Sequence, residues 1–339
     1  MSSSTFQTLL TDLPNVGIGV NLEQLDFVSI LTLRKVSHKL RNFVDQYKPK
    51  SNFTDISVQI YPGAVLLEFS IMKENPVTIV FEQRDDSCVV TWKEKKREKA
   101  LENLNYMDVF LMEFEDLMKY HQPQVLVHFE IIFWTFSFYE KVLKIMQNVA
   151  PLQVKSLVLG MENPESCLNL LACFQPEILE SIALSIENLN EEELAEERIF
   201  DMEEIFKMDQ WKKAINVITH SFDIAPKVQK FLNFETASIS MHTVPLAELI
   251  LLKNEMTVSP TPKRFDILFE ELAEPENYIT VFGESFVEVD LDGNWRKDAW
   301  FFQIQNSTEI LKLLICNLGA IYFLKINREE VPEDAGIGN

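Results

Sequence analysis

Residues 151–159, PLQVKSLVL, and residues 176–184, PEILESIAL, spell one pattern twice. Each opens on proline and then places apolar residues at Val154, Leu157 and Leu159 or at Leu179, Ile182 and Leu184. The last two members of each triplet alternate with a less apolar neighbour, which is the mark of a strand with one buried face. The triplet recurs as Leu126/Phe129/Ile131, Phe234/Ala237/Ile239 and Pro262/Phe265/Ile267. A weaker copy, Trp211/Ala214/Asn216, ends on a polar residue. Successive first positions stand 28, 25, 32, 23 and 28 residues apart. Helical patterns fill the intervals at Tyr139–Asn148, Glu165–Phe174 and Pro245–Asn254. A strand and a helix at this period predict a leucine-rich-repeat-like β-α solenoid over residues 121–328. One such unit cannot bury its apolar face alone, so units must stack. Residues lying between the buried strand positions then face away from the core. Val158, Ala183, Ile215, Ser238 and Asp266 are therefore the candidate target-binding positions.

Upstream, the period falls to two. Ile56/Val58/Ile60, Val65/Leu67/Phe69, Val77/Ile79/Phe81 and Cys88/Val90/Trp92 alternate, with turns at Pro62-Gly63 and Asp85-Asp86-Ser87. Four such runs predict an antiparallel meander. KEKKREK (93–99) reads as the solvated start of a helix over 100–120, which completes a β-rich connector at 51–120. Beyond Glu270, strands are expected at Tyr278–Phe282, Phe286–Asp290, Trp300–Ile304 and Ile321–Ile326, with a hairpin turn at Asp292-Gly293. Residues 329–339 read as a flexible tail. The expected fold class is α+β / α/β, with a small helical N-terminal unit ahead of the sheet-rich body.

The 339 residues carry a net charge of -21, and at about 150 residues per domain they predict two domains. The excess of acid repels phosphate backbones, so direct nucleic-acid binding is not expected. The charge is uneven. Residues 1–50 hold six bases and four acids, whereas residues 161–210 hold fourteen acids and two bases. The densest acidic run, NLNEEELAEERIFDMEE (188–204), falls in the longest repeat interval. An insertion at that point often emerges on a binding face, so Glu191, Glu192, Glu193, Glu196 and Glu197 are candidate contacts for a basic partner.

No Walker loop, H-E-x-x-H, G-x-S-x-G or G-x-G-x-x-G in a phosphate-binding context is present, and the five histidines lack metal-ligand spacing. No catalytic residue, metal site or cofactor is expected, and the chain is not expected to be an enzyme. Cys88, Cys167, Cys173 and Cys316 form no C-x-x-C pair and read as buried reduced thiols. The longest uncharged apolar stretch, Leu313–Leu324, falls short of the roughly 20 residues a membrane helix needs. The N-terminus has no signal-peptide pattern. No membrane association is expected, and the localisation is expected to be cytoplasmic, nuclear or both.

The N-terminal unit starts at Leu13-Pro14 and continues into a helical stripe through Ile30, Leu33, Val36, Leu40, Phe43, Val44 and Tyr47. The stretch LPNVGIGVNLEQLDFVSILTLRKVSHKLRNFVDQYKPK resembles an F-box, placed here at residues 8–50. Leu13, Pro14, Leu22, Leu25, Leu31, Leu33, Arg34, Val36, Leu40, Arg41 and Val44 fit the family pattern. Asn15 replaces the usual acidic residue, and Gly17 and Gly19 are unusual in the first helix. FETASISMHTVPLAELILLKNEMTVSPTPKRFDILFEEL and WFFQIQNSTEILKLLICNLGAIYFLKI resemble the FTH domain, placed at about 205–328. That order is similar to the F-box A group, which is expanded in nematodes. The resemblance implies binding of a Skp1-like adaptor, and through it a cullin, by Leu13, Pro14, Leu22, Leu25, Ile30, Leu33, Arg34, Val36, Leu40, Arg41 and Val44. It implies that the body recognises a protein target for an SCF-type ubiquitin ligase. The alternative is a non-degradative adaptor, for instance one that regulates messenger RNA through a protein partner.

Overall fold

A computed structural model describes residues 27–47, 53–71, 76–121, 125–186, 199–220, 222–225, 227–259, 261–289 and 296–338. It is a mixed α/β structure built on one large sheet. The elements run α1 (Phe27–Val36), α2 (His38–Tyr47), β1 (Phe53–Tyr61), β2 (Ala64–Ile71), β3 (Val77–Arg84), β4 (Ser87–Trp92), β5 (Arg97–Glu102), α3 (Tyr106–His121) and β6 (Leu126–Phe133). They continue with α4 (Tyr139–Val149), β7 (Val154–Met161), α5 (Pro164–Leu171), β8 (Ser181–Ile186), β9 (Ile199–Phe200), α6 (Asp209–Lys213), β10 (Asn216–His220), β11 (Asp223–Ile224) and β12 (Thr236–Val244). The remainder is α7 (Leu246–Val258), β13 (Arg264–Leu272), α8 (Tyr278–Phe282), β14 (Phe286–Val289), β15 (Arg296–Gln303), β16 (Glu309–Cys316), β17 (Ala320–Asn327) and β18 (Ile337–Gly338).

The sheet order is β14-β15-β16-β17-β13-β12-β10-β8-β7-β6-β1-β2-β3-β4-β5, with β18 beside β15. Its middle, β6 to β13, is parallel throughout. In that middle, spatial order follows chain order, with β9 and β11 set apart as a separate parallel pair. Antiparallel meanders flank it, β1–β5 on one side and β14–β17 on the other.

The triplet pattern has a local cause. In each parallel strand the first apolar residue is buried, the next is exposed, and alternation then buries the third and fifth positions after it. One backbone bond recurs at the exposed position. Glu180 N donates to Lys155 O at 2.8 Å, Ile215 N to Glu180 O at 2.8 Å, Glu235 N to Ile215 O at 2.8 Å, and Lys263 N to Glu235 O at 2.9 Å. Side chains reinforce this row where charges alternate, with Lys155 to Glu180 at 2.8 Å and Lys263 to Glu235 at 2.9 Å. The weak copy is out of register. Leu184 stands opposite Thr219 and Ile182 opposite Val217, so the true triplet is Ala214/Val217/Thr219.

Phe129, Leu157, Ile182, Val217, Ala237 and Phe265 form one buried row across the parallel strands. Helices cover this face. Phe81 of β3 meets Phe110 of α3 with ring centres 5.7 Å apart, Phe133 meets Tyr139 of α4 at 5.6 Å, and Trp211 of α6 meets Phe234 at 5.1 Å. At the C-terminal meander both faces are apolar. Ala299, Phe301, Ile310, Leu314, Cys316 and Ala320 form a second small core on the far face, closed by Val331 and Ala335. The segment expected as a flexible tail thus folds back over the sheet, and Ile337 pairs with Phe301.

Other expectations need correction. The KEKKREK run is a hairpin and edge strand, β5, and the helix begins at Tyr106. Tyr278–Phe282 is helical because a 3-10 turn over Pro275–Asn277 leads into it and Gly283, at φ 87°, ends it. The expected turn at Asp292-Gly293 lies outside the described residues, between the antiparallel strands β14 and β15.

The seams differ in length. The β12–β13 ladder runs from Thr236↔Arg264 to Val244↔Leu272, whereas β10 meets β12 only through Asn216, Val217 and Ile218.

Candidate functional site

Opposite the helices, the parallel strands present a face of small and polar side chains. One row across it reads Ser57, Glu130, Val158, Ala183, Ile218, Ser238, Asp266, Tyr322. The next reads Asp55, His128, Ser156, Ser181, Asn216, Thr236, Arg264 by the same ladders. From β6 to β13 the face is about 24 Å wide, taking ~4.8 Å between strands. That width accommodates an extended segment crossing the strands or a helix lying along them.

Four of the expected target-binding residues, Val158, Ala183, Ser238 and Asp266, fall on the first row. Ile215 does not. It lies before β10, 42% exposed, in the row of exposed residues at the strand starts. Ile218 takes the place expected of it. Glu191, Glu192, Glu193, Glu196 and Glu197 lie outside the described residues.

Both borders of the floor are fixed by polar networks. On one side Glu130 Oε1 accepts from Ser57 Oγ at 2.7 Å and Gln59 Nε2 at 3.1 Å. His128 Nε2 stands 4.0 Å from the other carboxylate oxygen, and its Nδ1 is 3.3 Å from Ser156 Oγ. The neighbouring His128, helped by Ser57 and Gln59 and opposed by burial, holds the Glu130 carboxyl down to about 2. Tyr61 donates to Gln59 at 2.6 Å and stacks on Trp134, ring centres 5.8 Å apart. On the other side Arg264 Nε donates to both Asp266 oxygens at 3.0 and 2.9 Å, and the guanidinium lies over the Tyr322 ring at 6.0 Å. Between them the first row carries the uncharged residues Val158, Ala183, Ile218 and Ser238. His128, Glu130 and Ile218 were missed from sequence because nothing local marks them. Only register with Val158 and Ala183 places them.

Ser156, His128 and Glu130 stand in nucleophile, base and acid order. The ladders on both sides of β7 engage the backbone amides that an oxyanion requires. The four cysteines are buried, and burial pushes Cys167 up to about 12 and Cys173 up to about 11, far from a reactive thiolate. Among the described residues no His/Cys/Asp/Glu group is arranged to hold a metal ion, and no helix is long and apolar enough to cross a membrane.

The expected adaptor-binding residues are dispersed. Leu13, Pro14, Leu22 and Leu25 lie outside the described residues. Ile30, Leu40 and Val44 are buried, and Leu33 packs on the core. Arg34 forms an ion pair with Asp116 of α3, whose carboxyl is raised by burial against the pull of that guanidinium. Arg41 is exposed and its Nε donates to Arg34 O at 3.4 Å. Val36 is 65% exposed.

Residues 136–285 match the FTH domain family. The match starts and ends before the expected 205–328, and leaves out the stretch from Trp300 onward. It spans β7 to β13, and so includes the open face except for β6, whose His128 and Glu130 border it. No curated protein and no solved structure matches the chain. The FTH domain family is commonly linked to F-box proteins, which points to a protein-interaction role.

Proposed function

We propose that the chain is a substrate-recognition subunit of an SCF-type ubiquitin ligase. The N-terminal helices dock a Skp1-like adaptor, and through it a cullin, while the open sheet face holds a protein target. The observation that carries the second half is the alignment of Val158, Ala183, Ile218, Ser238 and Asp266 on one row inside the FTH match. The repeated backbone bond and the matching spatial and chain order support the solenoid reading of the body. Such stacks offer a broad face with many short side chains, suited to a folded partner. The subunit then acts by holding its target beside the ubiquitin donor rather than by acid–base chemistry of its own.

Affinity capture of the full chain tests the first half. Leu13→Ala/Pro14→Ala and, separately, Val36→Asp are expected to lose Skp1 and cullin and to keep the target. Retention of Skp1 by both overturns the assignment. Ala183→Arg is expected to do the reverse.

Burial of Ile30, Leu40 and Val44 within the chain favours a second reading. In it α1 and α2 belong to the body, and the chain is an interaction adaptor that does not drive degradation, including one acting on messenger RNA through a protein partner. An unchanged target half-life on depletion of the chain selects this reading.

A further inference from the structure

The open face meets a second acidic feature at the C-terminal ends of its strands. Asp223, in β11, is 5% exposed. Its Oδ1 accepts from Ser240 Oγ at 3.0 Å, and its Oδ2 has no hydrogen-bond partner among the described residues. Ser240 belongs to the open face, two residues beyond Ser238 and opposite Leu268. The carboxylate therefore sits at the rim of the floor that carries Ala183, Ile218 and Ser238. Nearby acids are treated differently. Glu203 pairs with Lys227 and Glu204 with Lys207, whereas Asp223 pairs with no cation among the described residues. Strand pairing fixes the place: Asp223 stands opposite Ile199 of β9, where the chain returns from the acid-rich insertion that left β8 at Ile186.

A carboxylate withdrawn from water without a cation is costly, and a cation delivered to it recovers that cost. The C-terminal ends of parallel strands are also where open α/β sheets take ligands. We propose that Asp223 receives a lysine or arginine side chain from a basic segment of the bound target, which lies over Ser238 and Ser240. This inference rests on the open face being the target-binding face. It adds the chemical class of the partner and the residue that selects it. Asp223 supplies the short-range pair. A buried pair is screened less by salt than surface charges are.

The test uses the full chain and a fluorescent hexa-arginine peptide, with binding followed by anisotropy. Asp223→Asn, nearly isosteric, is expected to weaken binding about tenfold, with most of the difference surviving roughly 0.5 M salt. The exposed control Glu255→Gln is expected to bind as the wild type does. Hexa-arginine is expected to raise the unfolding temperature of the wild type and not of Asp223→Asn. Ser240→Arg, which brings its own cation, is expected to be more stable than the wild type and to bind the peptide poorly. Equal affinities for wild type and Asp223→Asn, or loss of all binding by both at the higher salt, indicate surface attraction only and overturn the inference. Capture of the cellular target separates this from the reading beneath it. If Ala183→Arg abolishes capture and Asp223→Asn does not, the face stands and the inference falls. If Ala183→Arg leaves capture intact, the face itself is wrong.

Discussion

Glu130 shows what single side chains on this face contribute. Its carboxyl is depressed to about 2 by His128, Ser57 and Gln59, so it stays ionised wherever the protein is folded at ordinary pH. A group lowered on folding stabilises the protein fully above its unfolded value and loses that contribution as pH falls toward the folded value. Glu130→Gln is therefore expected to lower stability by on the order of 2 kcal/mol at neutral pH. The difference should shrink as pH falls below about 4, which urea midpoints at several pH values will read. An undiminished difference in acid rules out the ionic origin. Gly319 is a steric counterpart. Its φ is 81°, and a Cβ there would lie 2.5 Å from Phe269 O. Gly319→Ala is expected to destabilise by about 2 kcal/mol or more, again by urea midpoint. At this scale the sequence was legible wherever burial is apolar and illegible where it is not. Thr219 is fully buried and polar, so a search for apolar triplets slid past Ala214/Val217/Thr219. It settled three residues early, and the same slip put Ile215 in place of Ile218.

Whole elements were readable when one face met the core and the other met solvent. The meander strands β1 to β4 and helices α4, α5 and α7 satisfy that condition, and their patterns announced them. Strand β16 does not, because Ile310 and Leu314 pack on one side while Leu311 and Leu313 pack on the other. It read as an undivided apolar stretch. Strand β5 fails in the opposite way, since REKALE has almost nothing to bury and exists by pairing with β4. Its charges have a use. Arg97 and Lys99 share one face, and Glu98 and Glu102 the other, so an antiparallel copy would set like charges opposite one another. Edge strands commonly resist self-association in this way. Arg97→Thr/Lys99→Thr/Glu98→Thr is accordingly expected to form dimers or larger species in sedimentation. A monomer at all concentrations would show that the charges are not what keeps this edge single.

Across the whole molecule, the sheet is a chain of neighbours with two protected ends. At one end the second small core depends on the return of Val331 and Ala335 over Phe301, Ile310 and Leu314. Deletion of residues 328–339 is expected to uncover that patch, raising binding of a hydrophobic dye and lowering the unfolding temperature by several degrees. A truncated chain that binds no more dye than the wild type would mean the patch is closed by something else. The two-domain estimate from length does not carry over to separate sheets, since strands of the connector, the body and the C-terminal meander share one ladder system. Strength along that system is not uniform. Between β6 and β13 the β10–β12 ladder is the shortest, Asn216 to Ile218, continued by the Glu235 N–Ile215 O bond before it and with the β9–β11 pair beside it. Viewed as a material, the sheet has a perforation there. A load applied across the sheet is expected to part it first along that line, into a portion carrying the N-terminal helices and a portion carrying the C-terminal meander.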